Sequence, residues 1–145
     1  MKLDNLNEDL PEILILEDDS IIALLQKYML EKMTEIKPLL FGNGQDAIQY
    51  LDERADKAAE VLVLLDINMP VMNGWEFMDS FKTRNYGSKV HVAMVTSSLF
   101  KQDYEKAKQY EQIIGYYTKP LKQRDLREIL KKDKVAHLFT LPVKE

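Results

Sequence analysis

At 145 residues, 46% of them hydrophobic and 30% charged, the chain has the length of one domain and the composition of a protein that buries a core. Twenty Lys and Arg against 24 Asp and Glu leave a net charge of -4, so no basic excess supports direct nucleic-acid binding. The lack of cysteine excludes disulfides, zinc-thiolate sites and a thiol nucleophile, and two histidines leave little for a His-based metal site or a Ser-His-Asp triad.

Residues 1–11 read as a polar, acidic N-terminal extension, without the basic stretch and apolar run of a signal peptide. No run approaches the about 18 consecutive apolar residues that a spanning helix needs, so a cytoplasmic protein without membrane insertion is expected. Beyond the extension, short β-rich apolar runs alternate with longer segments of helical period, the pattern of a parallel sheet with crossover helices. The first strand candidate, Ile13-Leu14-Ile15-Leu16, is too uniformly apolar for a one-faced sheet and stops at Glu17-Asp18-Asp19. Ser20 is suited to cap a helix in which Ile21, Leu24, Leu25, Tyr28 and Met29 recur at spacings of three and four. A weaker strand over Lys37 to Phe41 turns through Gly42-Asn43-Gly44 into a helix carrying Ala47, Ile48 and Leu51.

Val61-Leu62-Val63-Leu64-Leu65 reads as a central strand buried on both faces, ending at Asp66. The loop from Ile67 to Gly74 leads into a helix with Trp75, Phe77, Met78 and Phe81. A fourth strand over Val90 to Val95 ends at Thr96-Ser97-Ser98, and a charged helix runs from Lys101 to Tyr110. A fifth strand, Ile113 to Tyr117, precedes Lys119-Pro120 and a last helix over Gln123 to Lys132 with Leu126, Ile129 and Leu130 on one side. No 20- to 50-residue period repeats, so one five-unit α/β domain is expected rather than a solenoid.

Glu17, Asp18, Asp66, Thr96 and Lys119 each fall at or just past the carboxyl end of a strand. In an open parallel sheet those ends share one edge, where ligands bind. Singly, each has a plain structural role to hand, as helix cap, turn residue or surface charge; their convergence from four segments is what points to chemistry. Three carboxylates at one edge repel and raise one another's pKa unless a hard divalent cation neutralises them, and oxygen-only donors favour Mg2+ over zinc. With a metal held by Asp18 and Asp66, Lys119 would offset the charge of a phosphoryl group and Thr96 would donate to one of its oxygens. Asp66, on the central strand, is the natural acceptor, because aspartate is a nucleophile that forms aspartyl-phosphate intermediates.

The segments ILILEDDS (Ile13 to Ser20), LLDINMPVMNGWE (Leu64 to Glu76), VAMVTSS (Val92 to Ser98) and GYYTKPL (Gly115 to Leu121) closely resemble the receiver domains of bacterial two-component response regulators. The resemblance covers residues 12–132. It implies a flavodoxin-like fold, a doubly wound five-stranded parallel sheet of order 2-1-3-4-5 with five helices. By the same resemblance Asp66 is the phosphoacceptor, and Asp18 with the Asn68 backbone carbonyl ligates Mg2+ directly. Glu17 holds the metal through water, Thr96 is the switch hydroxyl, Lys119 pairs with the phosphoryl group, and Tyr116 is the switch aromatic. Family members often have a cis bond before the proline at the position of Pro120. The implied donor is a histidine kinase or a histidine phosphotransfer protein. The implied function is that of a regulatory phosphoacceptor, not an enzyme acting on other substrates, which catalyses its own phosphorylation and slow dephosphorylation.

Glu17 stands where Asp is commoner, and the segment before the fifth strand lacks the usual Gly-Ala pair. Asp19 is a third acid, placed where negative charge favours a helix N-terminus. Asn68 and Ser98, two residues past the acceptor and past the switch hydroxyl, flank the path of an attacking water and are expected to tune the phosphoryl lifetime. The tail 133–145, with Val135, Leu138, Phe139 and Leu141, is too short for an effector domain and either extends the last helix, folds back or frays. Output is therefore expected through a partner, or a second copy, at a face of fourth helix, fifth strand and fifth helix. Two other readings stay open. An aspartate-nucleophile phosphohydrolase would carry a second Asp where Asn68 stands, and a receiver-like module without phosphorylation would form no acyl phosphate.

Overall fold

Runs of branched apolar residues, which suit a pleated surface packed on both sides, become five parallel strands in the computed structural model, which describes residues 10–139. The strands are β1 (Glu12–Leu16), β2 (Leu39–Phe41), β3 (Val61–Leu65), β4 (Val90–Thr96) and β5 (Ile113–Thr118), in spatial order β2-β1-β3-β4-β5. Five helices cross between and after them: α1 (Ser20–Met33), α2 (Gly44–Glu53), α3 (Gly74–Asp79), α4 (Lys101–Ala107) and α5 (Gln123–Leu130). This is the flavodoxin-like arrangement, with β1 and β3 at the switch in strand order where ligands bind.

Alternation along each strand divides the core in two. Leu14, Leu16, Val61, Val63, Leu65, Val90, Val92 and Met94 face Ala47, Ile48 and Leu51 of α2 and Phe77 and Met78 of α3. The intervening residues Ile13, Ile15, Leu62, Leu64, Ala93 and Val95 face Ala23, Leu30 and Met33 of α1 and Leu126, Ile129 and Leu130 of α5. Val135 and Phe139 join this second cluster, so the segment after α5 folds back onto the sheet through a 3-10 turn at Ala136–Leu138. Leu141 and residues 1–9 of the extension lie outside the described residues.

In α1 the geometry departs from the sequence reading. Its N-cap is Asp19, not Ser20: the Asp19 side chain accepts from the amides of Ile21 and Ile22 at 3.0 and 3.1 Å. A carboxylate satisfies two orphan donors there and also complements the helix dipole. Nor is the stripe of Ile21, Leu24, Leu25 and Tyr28 the buried face; these residues are 69%, 55%, 58% and 58% exposed. The sheet is covered instead by Ala23, Gln26, Leu30 and Met33.

Other elements are shorter than their periodicity implies. The second strand holds only Leu39–Phe41, and α3 tightens after Asp79 into a 3-10 turn (Ser80–Thr83) that carries Phe81. α4 stops at Ala107, three residues before Tyr110, and α5 at Leu130. Between β4 and β5 the register shifts after Val92, which pairs with Ile113, while Ala93 pairs with Gly115. That bulge occupies the segment lacking the Gly-Ala pair. A Cβ on Gly115 would lie 2.7 Å from the Tyr117 ring, so a side chain there would force that ring to shift.

Candidate functional site

The sheet ladder continues one residue past its strands and pins the polar residues there. Glu17 N–H donates to Phe41 O at 3.0 Å, Asp66 N–H to Leu16 O at 3.1 Å, and Lys119 N–H to Thr96 O at 2.9 Å. Because β1, β3 and β4 pair in parallel and in register, these bonds set Glu17, Asp66, Thr96 and Lys119 along one rim. Asp66 and Thr96 are buried, at 5% and 0% exposure, and Glu17 is buried at 4%, while Asp18 is exposed.

Within the rim, Lys119 Nζ lies 2.9 Å from Asp66 Oδ2 and forms an ion pair with Glu17. Glu17 Oε2 also accepts from the Asp19 amide at 3.0 Å, and Asp66 Oδ1 receives a long bond from the Asn68 amide at 3.4 Å. Oxygens of Glu17, Asp18 and Asp66 all lie within 4.8 Å of one another. One ammonium thus pairs with two of three clustered carboxylates, and a negative excess is left. Burial pushes the Glu17 carboxyl above its usual value, and Asp66 adds to this, against the hydrogen bonds and charge of Lys119 and the Asp19 amide. The larger effect is thus desolvation and the lesser one repulsion, the reverse of the emphasis that the sequence invites. For Lys119, burial pulls the other way, but its bonds to Glu17 and Asp66 outweigh it and hold the ammonium above its usual value.

The loop after Asp66 is shaped by backbone constraints. Met72 N–H reaches back to Pro70 O at 2.7 Å, and Val71 between them has φ of 67°. That is a strained turn for a β-branched residue. Gly74 N–H closes the loop on Ile67 O at 2.8 Å, and a Cβ at Gly74 would lie 2.6 Å from Asp66 O. Asn73 and Glu76 then form a reciprocal capping box that starts α3 directly after the loop that follows Asp66. The Lys119-Pro120 bond is cis. Asn68 is exposed and Ser98 half-buried.

A second group of polar residues adjoins the rim, and sequence reasoning missed its centre, Asp103 of α4. Ser98 Oγ donates to Asp103 Oδ2 at 2.5 Å, and the indole of Trp75 donates to Asp103 Oδ1 at 3.2 Å. Tyr116 packs edge-on to Tyr104 of α4, with ring centroids 5.5 Å apart. An acid in the first turn of a charged helix carries no signal of such a contact, because Trp75 and Asp103 are 28 residues apart.

Comparison with known proteins agrees with this geometry. The family model described as the response regulator receiver domain matches residues 13–131. The chain is similar to the chemotaxis protein CheV2 of Helicobacter pylori, 24% identical over 121 residues that span 83% of this chain and 38% of that one. It is also similar to the probable transcriptional regulator ycf29 of Porphyra purpurea, 25% identical over 121 residues that span 82% of this chain and 54% of that one. The chain thus spans only about half or less of the length of these curated relatives. Among solved structures, a two-component response regulator from Cytophaga hutchinsonii is 28% identical, with a TM-score of 0.76 over 89% of this chain and 98% of that one. The receiver domain of a sensor histidine kinase from Pseudomonas aeruginosa, 23% identical with a TM-score of 0.67 over 83% and 93% of the two chains, shares the fold. With a parallel sheet of order 2-1-3-4-5, an acidic rim on its carboxyl edge and a family match over most of its length, the chain belongs to the receiver domains of two-component response regulators.

Proposed function

We propose that Asp66 accepts a phosphoryl group, with Mg2+, from the phosphohistidine of a histidine kinase or histidine phosphotransfer protein, or from a small acyl or amido phosphate. The observation that carries this reading is the Asp66 carboxylate, held on the central strand 2.9 Å from Lys119 Nζ beside two further acids. An oxygen of Asp66 forms the new bond to phosphorus as the bond to the donor's imidazole nitrogen or acyl oxygen breaks, and the electron pair leaves with the donor. Lys119 offsets the charge of the phosphoryl oxygens, and the Thr96 hydroxyl donates to one of them.

The donor set fits a hard cation: it is all oxygen, carries excess negative charge and includes an exposed carboxylate open to solvent at Asp18. Glu17, Asp18, Asp66 and the Asn68 backbone carbonyl would hold Mg2+, whose chemistry there is neutralisation of charge on the transferring phosphoryl group. The Pseudomonas receiver domain has a magnesium ion coordinated in its own active-site cleft.

Output is assigned to the face of α4, β5 and α5. Thr96, drawn toward the phosphoryl group, vacates space for Tyr116, and the change is read by a protein partner or a second copy. Leu99 and Phe100, 88% and 72% exposed beside this face, supply apolar contact area. The site of action in this reading is the cytoplasm, and among the described residues no helix is long and apolar enough to cross a membrane.

The test is intact-mass spectrometry after treatment with acetyl phosphate or phosphoramidate and Mg2+. One added phosphoryl group is expected in the wild type and none in Asp66→Asn. A modified Asp66→Asn protein would falsify the assignment, and multiple turnover on phosphoesters would favour a phosphohydrolase.

A further inference from the structure

The Tyr116 hydroxyl is buried and has no hydrogen-bond partner among the described residues. A buried donor without an acceptor is costly, so its neighbourhood bears on which state the structure favours. Burial is the larger cause of the hydroxyl's upward pKa shift; Ser98, which approaches it as a hydrogen-bond donor without reaching bonding geometry, lowers it, and the charge of Asp103 adds to the rise. Ser98 is already engaged, its hydroxyl donating to Asp103 Oδ2 at 2.5 Å and accepting from the Phe100 amide at 3.3 Å. The Ser98 amide in turn donates to Thr96 Oγ1 at 3.3 Å.

The two bonds to Asp103 have different anchors. Trp75, on Oδ1, belongs to α3, whose first residue is tied by Gly74 N–H to Ile67 O at 2.8 Å and therefore to the acceptor strand. Ser98, on Oδ2, belongs to the loop that follows Thr96 and is coupled to the Thr96 hydroxyl itself. Movement of Thr96 toward a phosphoryl oxygen removes the acceptor of the Ser98 amide and pulls that loop, while Trp75 keeps Asp103 in place. We propose that Asp103 is the acceptor of the Tyr116 hydroxyl in the phosphorylated state: Ser98 releases Oδ2, and the orphaned phenol takes its place.

This makes Asp103 a positioning residue of the switch, and it rests on the reading of Asp66 as phosphoacceptor and of Thr96 and Tyr116 as the switch pair. A bond made only in one state raises the apparent affinity for whatever selects that state. The probe is the beryllium trifluoride anion, a phosphoryl analogue, titrated by calorimetry at saturating Mg2+ into wild type, Tyr116→Phe, Asp103→Ala and the double variant Tyr116→Phe/Asp103→Ala. Tyr116→Phe is expected to weaken analogue binding about three- to tenfold, whereas Asp103→Ala loses the Ser98 bond of one state and the Tyr116 bond of the other and should move it less. In the Asp103→Ala background, Tyr116→Phe should weaken it no further, because the phenol then has no carboxylate to reach. Mg2+ affinity without the analogue should not move, which separates this role from general disruption of the fold. Unchanged affinity in Tyr116→Phe, or a Tyr116→Phe loss that is as large in the Asp103→Ala background as in the wild type, overturns the proposal while leaving Asp66 as acceptor. Failure of the wild type to bind the analogue overturns the receiver reading and this proposal with it.

Discussion

The two rims of the sheet both gather acids, and they treat them in opposite ways. At the amino rim each acid is matched. Glu12 is paired with Arg54 and takes the Tyr50 hydroxyl, and Asp52 takes a fork of bonds from Arg84 at 2.8 and 3.0 Å plus Tyr86 at 2.7 Å. Glu60 receives both histidines of the chain, His91 at 2.7 Å and His137 at 2.9 Å. At the carboxyl rim one lysine pairs with two of three clustered acids, and Val71 stores backbone strain in the loop beside them. Matched charge holds elements together; unmatched charge and strain are kept where a ligand is to complete the set.

The difference is visible in the directions of titration. Burial pushes Glu60 up, but the bonds from His137 and His91 outweigh it and hold its carboxyl below the usual value. Arg84 is the leading influence on Asp52 and likewise holds it down. Burial leads for Tyr50, and the Glu12 carboxylate adds to it, pushing the phenol to about 12. Glu17 alone among these acids is pushed up.

The comparison breaks most sharply through Arg54, whose side chain is 7% exposed against a Glu12 that is 20% exposed. Arg54→Ala leaves a largely buried carboxylate without its cation and should cost about 3 kcal/mol of stability in urea unfolding. Mg2+ affinity should stay at the wild-type level, and a matching loss there would mean that the two rims are not separable. Asp18→Ala is the converse experiment. It should weaken Mg2+ binding by at least about tenfold with little change in stability. Asp19→Ala should spare the metal and cost about 1 kcal/mol through the lost α1 cap. Trp75 fluorescence and thermal unfolding read the two effects, and equal loss of Mg2+ affinity in both variants would contradict the division of labour within Glu17-Asp18-Asp19.

Acid separates the rims with opposite signs. Glu17 binds its proton more tightly folded than unfolded, so in Mg2+-free buffer its contribution to stability rises as pH falls through the window just above the usual glutamate value. Glu60 binds its proton less tightly when folded, so its contribution is present above the unfolded value and is lost as pH falls through the lower, folded one. Glu17→Gln should remove the first slope and Glu60→Gln the second; slopes of the same sign in the two windows would refute the contrast. The smallest effect is expected at Asn68, exposed beside the acceptor. Bulkier or charged replacements there should change the dephosphorylation rate several-fold by altering water access, with Mg2+ affinity roughly intact. Constant rates across the series would leave Asn68 with no role in lifetime.

Much of this was legible in the chain because it depends on local pattern. Uniform apolar runs such as Val61 to Leu65 suit only a strand covered on both faces, and parallel strands place whatever follows them on one edge. Hence Glu17, Asp66, Thr96 and Lys119 could be brought together without coordinates. The Asn73 and Glu76 capping box is written in their spacing of three. What tertiary structure alone decided is which of several permitted contacts is made. α1 has apolar residues on more than one side, and packing against the sheet buried Ala23, Leu30 and Met33 rather than the stronger stripe of Ile21, Leu24, Leu25 and Tyr28. The upward shift of Glu17 needs its burial as well as its neighbours. The bonds of Asp103 to Trp75 and Ser98 exist because α3 and α4 flank the same end of the sheet, a proximity between distant segments that no local periodicity encodes.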